Sequence, residues 1–226
     1  MSEHRIFPHG LPEELAPGLW QVKGSLPFPL PRNMTVLRLP SGGLLIYSAV
    51  AMDEAGMKAL EALGKPEIMV VPHHFHLMDA PFYKARYPQL KVVATDVIRE
   101  KLGTKLVPDG RPEALLPAAG VRFHQVPGLK GSELVLDVDV PGGRALVFTD
   151  VFGTPLQGFM AKLLGAPGGT GVPRIVKLRQ IADKPAVRRF LEELAEIPAL
   201  QMILVSHGAP LREGCAAALK TAAQRL

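Results

Sequence analysis

Short apolar runs closed by turn residues constrain this chain most, because they come in two spacings. Where two runs are separated only by a tight turn, an antiparallel hairpin is required; where a helix-length segment intervenes, a crossover is possible. "LWQVKGS" reads as a strand. "NMTVLRL" and "GLLIYSA" meet at "PSGG" and read as a hairpin. The period then changes. In "MDEAGMKALEAL", Ala55, Ala59, Leu60, Ala62 and Leu63 recur at helical spacing, and Gly64 can end the helix. "EIMVVPH" and "KVVATD" read as strands on either side of a short helix in "DAPFYKARYP", with Asp79 as its cap and Pro81 in its first turn. "VIREKLG" and "RPEALLP" read as short helical turns.

The hairpin spacing then returns. "VRFHQVPG", "SELVLDVDVP" and "RALVFTD" follow closely, the last two joined at "PGGR". Residues 151–182 have weak periodicity. "DKPAVRRFLEELAEI" is an amphipathic helix with Asp183 as its cap, "MILVSHGAP" a buried strand, and "LREGCAAALKTAAQRL" a closing helix. Hairpins, βα units, hairpins again and then αβα predict an α/β protein, with two layers of mixed sheet and helices outside.

The 226 residues, 47% hydrophobic and 21% charged, suit one globular domain and argue against disorder. The opening "MSEHRIFPHG" has no apolar run, so no signal peptide is expected, and no stretch is long enough to span a membrane. Cys215 is the only cysteine, which removes an internal disulfide and leaves a zinc-thiolate site without support. A cytoplasmic protein is expected. The net charge of +5 permits an anionic partner. From Lys162 to Arg189 there are seven basic residues against one acidic, Asp183. Lys184, Arg188 and Arg189 read as a solvated helix face; Arg174, Lys177 and Arg179 are more open to a ligand role. "GAPGGTG" lacks the Gly-Lys-Ser/Thr ending of a phosphate-binding loop.

Three polar clusters stand directly after predicted strands. His73, His74, His76 and Asp79 follow "IMVV", Asp150 ends "ALVFTD", and His207 ends "ILVSHG". Residues at one end of neighbouring strands converge on a crevice, where sites form. Imidazole and carboxylate are ligands for zinc, iron or manganese. The bland alternatives are equally concrete: Asp79 as a helix cap, Asp150 as a turn cap, His207 as a satisfied turn residue.

"PRNMTVLRLPSGGLLIYSAV", "ALGKPEIMVVPHHFH" and "YPQLKVVAT" resemble the metallo-beta-lactamase superfamily, and more closely a divergent branch of it known only as a domain of unknown function. The resemblance runs from about Trp20 to His207. It implies one domain over 1–226 with an αββα sandwich fold. Laid on the family motif His-x-His-x-Asp-His, the first two histidines become His74 and His76, the aspartate falls on Met78, and the last histidine falls on Asp79. The histidine of the Pro-Gly-His turn falls on Leu129. The bridging aspartate matches Asp150 and the final histidine matches His207.

The implied ligand set is therefore His74, His76, Asp79, Asp150 and His207, with Asp79 as a ligand or as a base that orients water. Methionine at 78 is a poor ligand for a hard, water-activating ion, which disfavours a two-metal hydrolase. The resemblance implies one zinc, iron or manganese ion, or none. It implies metal-assisted hydrolysis of a small-molecule substrate, which the basic segment would make anionic. The alternative is a small-ligand-binding or scaffold protein that has lost the metal centre. An extended loop would put residues 74 and 76 on one face and turn His73 away. Phe28 and Leu30 of "SLPFPLPR" are candidates to line the pocket.

Overall fold

A computed structural model describes residues 4–28, 30–103, 106–156, 165 and 169–226. The chain divides into two compact units, Met1–Val121 and Arg122–Leu226, each with its own apolar core.

The first unit holds a six-stranded sheet in sequential order: β1 (Glu13–Ala16), β2 (Leu19–Ser25), β3 (Pro31–Arg38), β4 (Leu44–Tyr47), β5 (Pro66–Val70) and β6 (Lys91–Val93). The first four pair antiparallel; β5 and β6 join in parallel. The switch follows from connection length. β3 and β4 are linked by the "PSGG" turn, where Gly42 takes φ +87°, a left-handed conformation that glycine adopts freely. β4 and β5 are linked by helix α1 (Glu54–Leu63), which allows a parallel return. Helix α2 (Ala80–Arg86) precedes β6, and α3 (Asp96–Leu102) and α4 (Pro112–Ala118) follow it.

Alternate residues of the strands, among them Val22, Met34, Val36, Leu44, Ile46 and Met69, pack with Met57 and Leu60 of α1, Tyr83 of α2 and Ile98 of α3. The opposite pleat is buried too, at Leu19, Thr35, Leu45, Tyr47 and Val70. Burial on both faces explains why "LLIY" and "IMVV" read as continuous apolar runs rather than alternating ones.

The second unit repeats the plan. Strands β7 (Arg122–Gln125), β8 (Leu134–Val140) and β9 (Gly143–Phe148) form an antiparallel meander, and β10 (Leu200–Val205) joins β9 in parallel. Between them lie α5 (Arg174–Arg179) and α6 (Lys184–Ala195), and α7 (Cys215–Gln224) closes the chain. In α6 the buried positions are Val187, Phe190, Leu191, Leu194 and Ala195, one stripe at helical spacing. Asp183 caps it as expected, accepting the Ala186 N–H at 3.0 Å.

Two elements escape the sequence reading. β1 is four residues of "EELA", too short and too charged for an apolar alternation. α5 is six residues with one buried apolar side chain, Val176. Asp79 is a correction: it stands before α2 but makes no side-chain cap bond. In the basic segment, Lys177 donates to the Arg225 carbonyl at 2.6 Å and Arg188 to the Ala223 carbonyl at 3.2 Å. Both therefore satisfy carbonyls at the C-terminal end of α7, where positive charge is favoured. Lys162 lies outside the described residues. Among the described residues no helix is long and apolar enough to cross a membrane.

One ion cluster bears on stability. Asp137 of β8 is 2% exposed and accepts bonds from Arg144 of β9 and His124 of β7. Burial pushes its carboxyl up, but His124, Arg144 and the more distant Arg122 outweigh that, and the net shift is downward. A carboxyl held below its unfolded value stabilises the fold above pH of about 4 and loses that contribution as pH falls through the folded value. Asp137→Asn should therefore lower stability at pH 7 by about 2 kcal/mol, as expected for losing charge-assisted hydrogen bonds to partners that stay partly solvated. Urea denaturation from pH 7 to pH 3 should show the gap from the parent closing toward the acid end. A gap that widened on acidification would contradict this assignment.

Candidate metal centre

The site residues of the first unit lie in the loop after β5. Val70 ends the strand, and residues 73–76 fold into a tight turn in which the His76 N–H donates to the His73 carbonyl at 2.9 Å. This differs from the extended loop expected. In an extended strand, 74 and 76 would share a face; in a turn that role passes to residues three apart. His73 and His76 accordingly each offer a ring nitrogen within 4.8 Å of the other. His74 packs, tilted, against the exposed Phe75, with ring centroids 4.1 Å apart. His73 is buried at 1% exposure, while His74 and His76 are half-buried.

The turn rests on the loop after β4. Ser48 Oγ lies 2.7 Å from His76 Nδ1. That loop is itself tied down: the Tyr83 hydroxyl donates to the Val50 carbonyl at 2.8 Å, and the Ala51 N–H donates to Asp79 Oδ2 at 2.7 Å. Tyr83 is fully buried, and burial raises its hydroxyl well above the usual phenol range, so it serves here as a neutral donor.

Asp79 is the centre of this scaffold. Its carboxylate, 1% exposed, accepts from the buried Arg32 guanidinium, from Ala51 and, at 2.9 Å, from His4 Nε2. Arg32 also donates to the Ser25 carbonyl at 3.0 Å. Two oxygens engaged by three donors leave Asp79 little capacity to serve a metal or a water. The sequence reading had no way to see Arg32 as the partner, 47 residues away. Met78, beside it, is half-buried.

In the second unit, Asp150 and His207 follow β9 and β10. His207 Nε2 stands 3.4 Å from Asp150 Oδ1, and their side chains are 20% and 10% exposed. The loop carrying Asp150 is fixed by Glu133, a fully buried residue that the sequence analysis missed. Glu133 Oε1 accepts the N–H groups of Thr149 at 2.9 Å and Asp150 at 3.1 Å, and Oε2 accepts that of Val151 at 3.0 Å. A buried carboxylate needs such donors. The available signal was a glutamate opening the apolar run "LVL". His207 is followed by Gly208 at φ +127°, where a Cβ would come within 2.3 Å of Thr154 Oγ1, so only glycine fits. Leu129 packs against the apolar core of this unit and bridges Ile181.

Imidazole and carboxylate, the groups each loop carries, are nitrogen and oxygen ligands that zinc, iron or manganese accept.

No family model matches the chain, and no curated protein does. Solved structures do. A metallo-beta-lactamase from Erythrobacter litoralis, with beta-mercaptoethanol in its active site, is 17% identical with a TM-score of 0.61, covering 95% of this chain and 96% of that one. One from Pseudomonas aeruginosa in the mono-zinc form is 12% identical with a TM-score of 0.65, covering 97% and 96%. One from Pontibacter korlensis is 12% identical with a TM-score of 0.63, covering 95% and 99%. The chain carries the metallo-beta-lactamase fold, an αββα sandwich with two mixed sheets flanked by helices, in a sequence divergent from these relatives.

Proposed function

We propose that this chain is a metal-dependent hydrolase of the metallo-beta-lactamase-like superfamily, activating water at a divergent, mononuclear site. The observation that most supports this reading is that each unit gathers ligand-type side chains after its parallel strands: His73 and His76 offer ring nitrogens within 4.8 Å of one another in the first, and His207 stands 3.4 Å from Asp150 in the second. His73 takes the role that an extended loop would give to His74. His207, beside Asp150, supplies the next imidazole. Asp79 is assigned to the scaffold, since Arg32, Ala51 and His4 occupy its carboxylate. Leu129 and Met78 stand where the family pattern has a histidine and an aspartate, which favours one ion over two.

When bound, the ion would lower the pKa of a coordinated water and polarise a carbonyl or phosphoryl oxygen. The chain's own contribution is to hold imidazole and carboxylate side chains in place before any ligand arrives. The partner inferred is a small molecule, and the net charge of +5 favours an anionic one. With Cys215 as its sole thiol the chain needs no oxidising compartment, and the proposal includes a cytoplasmic location.

Elemental mass spectrometry of untagged protein should find near one equivalent of metal. His76→Ala and Asp150→Ala should each weaken zinc binding by at least about 100-fold, beyond the roughly 10–100-fold seen when a ligand's outer partner is lost. If the parent holds no metal after incubation with zinc, iron or manganese, the hydrolase reading fails and a small-ligand-binding or scaffold role replaces it. Asp79→Asn should behave differently. It should cost about 3–5 kcal/mol of stability by urea denaturation, because Arg32 is left buried without its counter-charge. Metal content per folded molecule should stay near the parent's.

A further inference from the structure

We infer that Ser48 is a positioning residue that fixes the tautomer and ring orientation of His76 for metal binding, an inference that rests on the metal-site reading above. Three observations carry it. Ser48 is 4% exposed and takes φ +59°, one of two non-glycine residues with positive φ among those described, the other being Ala199. Left-handed backbone is costly for an L-residue, so it persists only where the surroundings enforce it. Its position is the second observation. The Ser48 N–H donates to the Val70 carbonyl at 3.3 Å, one step beyond the last paired residues of β4 and β5, Tyr47 and Val70. The left-handed turn there takes the side chain out of the strand's alternation. The third is its contact: Oγ ends 2.7 Å from His76 Nδ1.

Backbone geometry alone does not ask for serine at 48. Glycine would adopt the same φ without strain. Nor does Ser48 cap a helix, since Asp53 caps α1 by accepting the Gly56 N–H at 2.8 Å. What serine adds over glycine is the hydroxyl. In the tautomer with its proton on Nδ1, His76 donates to Ser48 Oγ and keeps the Nε2 lone pair for a metal. Ligating histidines are commonly set this way, by a hydrogen bond to the other ring nitrogen. Ser48 and His76 come from different loops, so the bond also ties the loop after β4 to the loop after β5.

The test compares the parent, Ser48→Gly, Ser48→Ala and His76→Ala. Zinc affinity is read by competition with a chromophoric chelator, and thermal stability is read on metal-free protein. Ser48→Gly should unfold at or above the parent temperature, because backbone strain is relieved, yet bind zinc about 10–100-fold more weakly. Ser48→Ala should show the same loss of affinity with lower stability, and it supplies the readout if the glycine variant does not fold. Weakened binding beside undiminished stability is a result that a merely structural serine would not give. If either Ser48 variant binds zinc within about twofold of the parent while His76→Ala does not, Ser48 has no positioning role and the metal site stands. If the parent and His76→Ala fail alike to bind zinc, the metal-site reading falls, and this inference falls with it.

Discussion

A guanidinium and a carboxylate, both removed from water, hold the first unit's loops in register. Arg32 projects from β3, Asp79 precedes α2, and between them they engage Ala51 in the loop after β4, Ser25 at the end of β2 and His4 in the N-terminal tail. Desolvating two charges is costly, and their attraction offsets the cost only when the remaining hydrogen-bonding capacity is also filled. Here the Ala51 N–H and the His4 ring fill it on the carboxylate, and the Ser25 carbonyl does so on the guanidinium. The return is conformational specificity: the loops after β4 and β5 are locked relative to one another, and the Ser48–His76 bond spans the same two loops.

The second unit meets a similar demand with different means. Glu133 accepts three backbone N–H groups. Three N–H dipoles converging on one carboxylate make a charge-assisted cluster, stronger per bond than neutral pairs. The direction of control is also different. Asp79 organises side chains from several elements, whereas Glu133 shapes three successive peptide groups, the middle one being that of Asp150. In both units a buried carboxylate does the shaping, and the candidate ligands are the side chains it leaves outside its own network.

The sheet architecture was legible because it depends on period and spacing. "PSGG" and "PGGR" announced hairpins, the helical period of "MDEAGMKALEAL" announced a crossover, and the strand ends announced where polar clusters would gather. The arrangement within the clusters was not legible. Residues 73–76 form a turn closed by a backbone hydrogen bond from His76 to His73, which alternation along an extended loop would not foretell. Asp79 before "AP" carries every local mark of a helix cap, yet a charge 47 residues away claims it. Ser48 and His76 are 28 residues apart, and nothing in either local sequence names the other. Local propensity is a weak prior where a buried charge is available to override it.

The Glu133 cluster has a thermodynamic consequence for how folding and ligand binding are linked. In small metal-binding domains the ion supplies the organisation, and chelation unfolds the chain. Here the peptide groups around Asp150 are ordered by a carboxylate belonging to the protein itself. The conformational entropy of that loop is surrendered during folding, so an ion bound at Asp150, as proposed, would meet a backbone already ordered. Stability and occupancy would then be coupled only through mass action, growing with the logarithm of ligand concentration rather than switching the fold on and off. A chain built this way can change what it binds, or bind nothing, while keeping its architecture.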